Sequence, residues 1–405
     1  MNDQPRAGRR TGRRPTTPRR FIGIAGAVVL SAVTVAACST SVVRSPAGGP
    51  TSTALPVPLA SSLAGPTGTW VTIAMGHLDD PFNTFWQVFS LPAATSPWLL
   101  ATPPAVASNG GLAMSSGAPR ALTVGYEPFD LLRLSPLAQT GDGGSVWSPG
   151  VLPGALAAVP DSLAAGTGPI RVALLRSNAS NGGDVVVSAG DLSTWRSVGS
   201  TGSLAAEGAL PGCGVVALTA VGVLGNGDPI AGAACAHGGT AGILVLAGDR
   251  WRGVAPTLPT SGPVSVIRLV GTATGATALI RAGNGEGSRL FAAWSTDGLA
   301  TWSVSSPLSV PNRSLVSTGL TAGGGLIAVT SGPDGSRSAA VIEHTGGWRY
   351  LAPLPTGTVV VASTPSGGFD ALVVHLSTLE VAGLEPGGWS HAQTVHVPIQ
   401  YGSSG

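Results

Sequence analysis

Seven tryptophans mark this chain at nearly even intervals: Trp98, Trp147, Trp195, Trp251, Trp302, Trp348 and Trp389. The steps between them run from 41 to 56 residues. Short runs of Val, Ile, Leu, Thr and Ala lie between the markers, at 70–74, 185–187, 215–221, 242–246, 265–270, 326–330, 339–342 and 358–362. Gly, Pro, Asn and Asp separate them. Runs of that size and composition, bounded by turn residues, read as β-strands. No segment after residue 65 keeps a helical period over ten or more residues. A fixed repeat near fifty residues also constrains assembly, because each unit completes its core only against its neighbours.

These features predict an all-β fold, a β-propeller of four-stranded antiparallel sheets over residues 66–400. Seven markers predict seven blades, with six as the alternative. Gly and Pro are abundant, 60 and 33 of 405 residues, near the level that suggests disorder. The 43% apolar content and the placement of Gly and Pro between strand-like runs assign them to turns instead. Residues 401–405, YGSSG, read as a disordered tail.

The N-terminus predicts export. Arg6, Arg9, Arg10, Arg13, Arg14, Arg19 and Arg20 precede an uncharged apolar run over 21–37, the pattern of a signal peptide. The run ends in Val35-Ala36-Ala37-Cys38, which resembles the bacterial lipobox. That resemblance implies a lipoprotein signal at 1–37, lipidation of Cys38, and anchoring at the outer face of the cell membrane. Two acyl chains hold a protein stably on a bilayer where one does not. Arg19-Arg20-Phe21-Ile22 partly resembles a twin-arginine export signal. Residues 38–65, rich in Ser, Thr, Pro, Gly and Ala, read as a flexible tether. The whole chain carries a formal charge of +2, but from Cys38 onward 14 Arg face 18 acids. The positive balance belongs to the leader, so no basic patch points to nucleic acid. A membrane partner through the lipid, a protein or glycan ligand, and a monomeric state are the expectations.

Three markers sit in a more specific pattern. Thr140, Asp142, Gly144 and Trp147 resemble the Asp-box, Ser/Thr-x-Asp-x-Gly-x-Thr-Trp. Ser295, Asp297, Thr301 and Trp302 fit it with Leu299 in place of the Gly, and Ser188, Asp191 and Trp195 fit it with the Asp one place late. The physics is that of a hairpin turn whose carboxylate accepts backbone N–H groups. In proteins with this box the turn is structural, on the outer part of a blade and away from the central active face. The resemblance raises a sialidase-like glycosidase as the enzyme alternative. Its requirements are an arginine triad, a Tyr–Glu pair and a Phe/Tyr-Arg-Ile-Pro motif, and that motif is not in this chain. Tyr126 with Glu127, Tyr350 and Tyr401 supply the available tyrosines.

Cys213 and Cys235 flank a strand–turn–strand segment centred on Gly225-Asn226-Gly227-Asp228. In an exported chain they are expected to form a disulfide. The polar stretch from His77 to Trp86 has metal- or sugar-site residue types and reads as a hairpin loop. No nucleophile, metal or nucleotide motif stands in a supporting context. The reading is a non-catalytic binding or assembly module at the cell envelope, without cofactor, metal or catalytic residues.

Overall fold

Short strands joined by tight turns leave each sheet one route through the molecule, a meander from an inner strand to an outer one. The computed structural model describes residues 59–399 apart from 66, 79–82, 105–110, 119, 128–132, 160, 169–170, 178–182 and 345. All lie in the unit Thr53–Gly405. Cys38, the signal segment and the 401–405 tail fall outside the described residues.

Among these residues the strands pair into five sheets of eight, four, nine, four and four strands, within which the chain runs as successive four-stranded antiparallel units, with the short strand Leu308–Ser309 added to the fifth. The first strands are Ala60–Gly65, Leu112–Ser115, Leu163–Ala165, Val215–Val223, Val264–Gly271, Ser314–Leu320 and Thr358–Ser363. The architecture is a β-propeller. Each marker Trp immediately precedes or lies within the fourth strand of its unit, as at Arg196–Ser200, Arg250–Gly253 and Gly388–His396. One short helix, Thr201–Ala206, follows the third unit and is capped by Ser200, whose side chain accepts the Ser203 N–H.

Several of the tryptophans also tie a unit to the one before. Trp195 Nε1 donates to the Val151 carbonyl at 2.8 Å and Trp251 Nε1 to the Val198 carbonyl at 2.7 Å. Trp302 and Trp389 reach Val254 and Ala352 in the same way. Trp98 closes the ring: Nε1 donates to Asp370 Oδ2 at 2.8 Å, and Gln393 bonds its backbone N–H and carbonyl. A single large ring thus supplies apolar area to its own unit and a directed bond to its neighbour.

The centre is more tightly drawn than the repeat alone implies. Residues 60–63 pair in parallel with 317–320 of the sixth unit, Ser62 opposite Gly319. A Cβ at Gly319 would lie 2.1 Å from Ser62 Oγ, so the approach requires glycine. This corrects the tether boundary. Residues 60–65, read from composition as linker, form the innermost strand of the first unit. Their small side chains mask the strand signal, and they pair with residues 68–72 on one side and with the sixth unit on the other. Ser62 Oγ and Thr69 Oγ1 donate to the carbonyls of Val361 and Ser363, which seats the seventh unit against the first.

Cys213 and Cys235 are disulfide-bonded, with Cα atoms 4.8 Å apart. Both are buried. They are not directly opposed: Cys235 pairs with Val215, and Cys213 lies just ahead of that strand. No helix among the described residues is long and apolar enough to cross a membrane.

Candidate functional site

The first strands converge on a cavity of about 300 Å³. It opens at their C-terminal ends, where residues 63–65, 114–118, 163–165, 222–223 and 268–271 form its wall. In a meander of four strands, the turn between the third and fourth strands lies at the same end as the exit of the first. The acidic turns around Asp142, Asp191 and Asp297 are therefore on the face where the cavity opens. Arg120 joins the two features: it lines the cavity and its Nη2 donates to the Asp142 carbonyl at 2.7 Å. The family pattern placed these turns away from the central face of interest. In this chain the cavity lined by the first strands shares their side.

Two opposite charges sit in the cavity lining, Asp161 at 7% exposure and Arg268 at 2%. They come from different units. Asp161 lies just before the first strand of the third unit and bridges to Ala220 of the fourth. Arg268 is on the first strand of the fifth unit. Its Nη1 donates to the Thr318 hydroxyl at 3.0 Å and to the Thr318 carbonyl at 3.4 Å in the sixth. Asp161 Oδ2 accepts the Leu269 N–H at 2.7 Å. Burial pushes the Asp161 carboxyl up to about 6, against the pull of the Arg268 charge and the Leu269 hydrogen bond. Burial also lowers the Arg268 guanidinium, against the pull of Asp161. The fold therefore holds a carboxylate and a guanidinium in a place that favours neither charge.

The acidic turns are different. Asp142 Oδ1 accepts the Ser145 and Val146 N–H groups at 3.0 and 3.1 Å and the Thr140 hydroxyl at 2.7 Å. Asp191 accepts the N–H groups of Ser193 and Thr194 and the Thr194 hydroxyl. Asp297 accepts the Thr301 N–H at 2.9 Å and the hydroxyls of Ser295 and Thr301. Side-chain hydroxyl bonds, from Thr140, Thr194 and Thr301, lead the lowering of all three carboxyls. The late position of Asp191 does not prevent the pattern. Each carboxylate takes three hydrogen bonds from its own loop, which is a folding role.

The residues considered for glycosidase chemistry do not meet in the cavity. Tyr126 is buried in the core beside Trp70 and Met114, and its hydroxyl has no partner among the described residues. Burial raises Glu127 to about 8. Tyr350 is exposed on the fourth strand of the sixth unit, and Tyr401 lies outside the described residues. Residues 79–82 of the His77–Trp86 stretch lie outside them as well, while Phe85 and Trp86 are half-buried in a strand. Among the described residues no cluster of three or more His, Cys, Asp or Glu could hold a metal.

Arg268 had a sequence signal that composition alone passes over. It is the lone charge in the run 264–270, VSVIRLV, and a charge inside an otherwise apolar strand marks a buried polar contact. Asp161, in a Pro-Asp-Ser turn-like string, had none.

No protein-family model and no curated protein sequence matches the chain. Among solved structures, the chain is similar to a GH74 xyloglucanase from Xanthomonas campestris, with 15% identity over 81% of this chain and a TM-score of 0.53. It spans 52% of that protein's length. It is also similar to a candidate 6-phosphogluconolactonase from Bacteroides fragilis, with 10% identity over 82% of this chain and 96% of the other, and a TM-score of 0.50. At these identities the likeness is one of fold, and the fold is the β-propeller.

Proposed function

We propose that the protein is an exported, lipid-anchored β-propeller, one blade for each of its seven units, and that it works as a non-catalytic binding module with the central cavity as its ligand site. The observation that carries this reading is the charged base of the cavity. Concave sites with a few convergent polar groups and perturbed titratable residues are where ligands bind. The base draws those groups, Asp161 and Arg268, from the third and fifth units. Among the described residues the lining holds one carboxylate, Asp161. Glycoside hydrolysis ordinarily uses a pair, which supports binding over the glycosidase-like alternative.

Two measurements test this reading. Detergent phase partition should place the protein with membranes and release Cys38→Ala to the aqueous phase; a Cys38→Ala protein that still partitions fully overturns the anchoring. Native mass spectrometry of protein taken gently from membranes should show a bound small molecule that is lost in Ser116→Trp, which plugs the mouth. A ligand retained unchanged in that variant overturns the cavity as the site.

A further inference from the structure

Three arginines belong to the sheet of the third unit, and one of them is paired. Arg176 meets Asp184 at 2.9 Å. Arg171 and Arg196 are exposed, and among the described residues neither closes an ion pair or a side-chain hydrogen bond. Strand register places these two together. Ala173, Val187 and Arg196 lie in a row across the strands Val172–Arg176, Asp184–Ser188 and Arg196–Ser200. Directly opposed residues share a face of the sheet, and so do residues two apart on one strand. Arg171 stands two before Ala173, its N–H bonded to the Ser188 carbonyl, and therefore rises on the same face as Arg196. Their strands are two spacings apart, about 10 Å, a gap that two arginine side chains reach across. Arg171 already leans into it. A Cβ on Gly190 would lie 3.2 Å from Arg171 Cδ and 3.5 Å from its Nε, so the guanidinium lies over the turn between the second and third of these strands.

Both arginines line one recess of about 670 Å³. Asp191 is the other charged residue of its described lining, and its oxygens take the donors of Ser193 and Thr194. Two guanidiniums on one recess repel each other, and each keeps a planar fork of N–H donors. A carboxylate brings one charge and one planar edge, which a single guanidinium satisfies. A phosphomonoester brings a second charge above about pH 6 and three acceptor oxygens, enough for both forks. We propose that this recess binds a phosphomonoester whose dianion bridges Arg171 and Arg196. The site is separate from the central cavity, since no residue lines both. Asp191 stays charged above pH 5, because the Thr194 hydroxyl and N–H bonds lower its carboxyl. The ester therefore sets the pH dependence, and affinity rises as pH rises through about 6.

The test uses the purified protein with two probes of nearly equal shape, phenyl phosphate and phenyl sulfate, followed by ligand-observed NMR and calorimetry at pH 5 and pH 8. The phosphate carries two charges at pH 8 and mostly one at pH 5, while the sulfate carries one at both. The expected result is saturable phosphate binding at pH 8, about tenfold or more tighter than sulfate, with the preference much reduced at pH 5. Arg171→Gln and Arg196→Gln, both at exposed positions, should each weaken phosphate binding by about tenfold. Arg289→Gln, at an exposed position on the fifth unit outside the recess, should leave it unchanged. Equal affinity for the two probes at pH 8 overturns the dianion. A loss in only one of the two recess variants overturns the bridge. A loss as large in Arg289→Gln marks diffuse surface charge and overturns the site. Binding lost in Ser116→Trp and unchanged in both recess variants puts the probe in the central cavity and overturns the proposal. No saturable binding of either probe overturns it too, and leaves the reading of the central cavity as it stands.

Discussion

The outer turns and the centre of this propeller use the same side chain in opposite ways. Asp142, Asp191 and Asp297 lie at the surface, each bonded to N–H and hydroxyl donors of its own loop, and the folded chain favours their charge. Asp161 is buried beside a guanidinium that keeps an unfilled donor, and the folded chain disfavours its charge. A carboxylate bonded to the donors of its own loop stabilises that loop when charged. One held against its preference is a stability cost, and such costs are retained at functional sites. The comparison separates folding acids from a site acid without reference to any related protein.

The largest test of that contrast is the pH dependence of stability. A carboxyl raised from 3.8 to about 6 binds its proton more tightly in the folded state than in the unfolded one. Stability from Asp161 therefore falls as pH rises from about 4 to about 6, by about 3 kcal/mol in all, and stays low above that. Asp161→Asn keeps an acceptor for the Leu269 N–H and removes the charge. It should be more stable than wild type by about that amount at pH 7, with the gain vanishing near pH 4, read from urea unfolding across pH. Asp297→Asn should behave with the opposite sign. A carboxyl lowered to about 2 stabilises above 3.8, and the contribution is lost as pH falls through 2. The variant should be less stable at pH 7 and converge with wild type in acid. Two parallel profiles would erase the distinction between the regions.

What the sequence makes legible follows the same division. The tryptophan spacing and the acidic turns are local: a ring just before or within each fourth strand, and a carboxylate within five residues of its donors. Short-range chemistry of this kind is written in consecutive residues. The central groups reach far along the chain, Asp161 to the Leu269 backbone more than a hundred positions away and Arg268 to Thr318 fifty away, and strand order alone brings them together. The same applies to residues 60–63, whose Ala-Ser-Ser-Leu composition resembles a linker until Gly319 admits Ser62 at close range. The disulfide falls between, since both cysteines flank one hairpin.

A smaller effect sharpens the comparison at the outer edge. Trp251 donates to the Val198 carbonyl across a boundary between units and is itself 7% exposed. Trp251→Phe keeps most of the ring and leaves that carbonyl without its donor. The expected loss is about 2 kcal/mol in urea unfolding at pH 7, with no change in its pH dependence because no titratable group is involved. A pH-dependent loss would mean that the outer latches and the central charges are coupled.

The smallest predicted effect concerns the turn that departs from its pattern. Leu299 stands where Gly144 stands in the first turn, and both backbones are left-handed, at φ +71 and +94. For leucine that conformation costs about 1–2 kcal/mol. Its side chain is 4% exposed and packs in the core of the fourth and fifth units, and burying a leucine contributes about 2–3 kcal/mol. The two terms oppose, so Leu299→Gly should cost only about 1 kcal/mol, and melting temperature should fall by a few degrees. Gly144→Leu has no such compensation. A Cβ there would meet Ala101 at 3.3 Å and the Trp70 ring at 3.5 Å, so the strained backbone gains no room for the side chain. A turn that tolerates Leu299→Gly while Gly144→Leu unfolds its unit would show that these loops are set by what packs beneath them, with the hydrogen bonds of Asp297 left intact in the first variant. A Leu299→Gly protein more stable than wild type would show instead that backbone strain outweighs the burial.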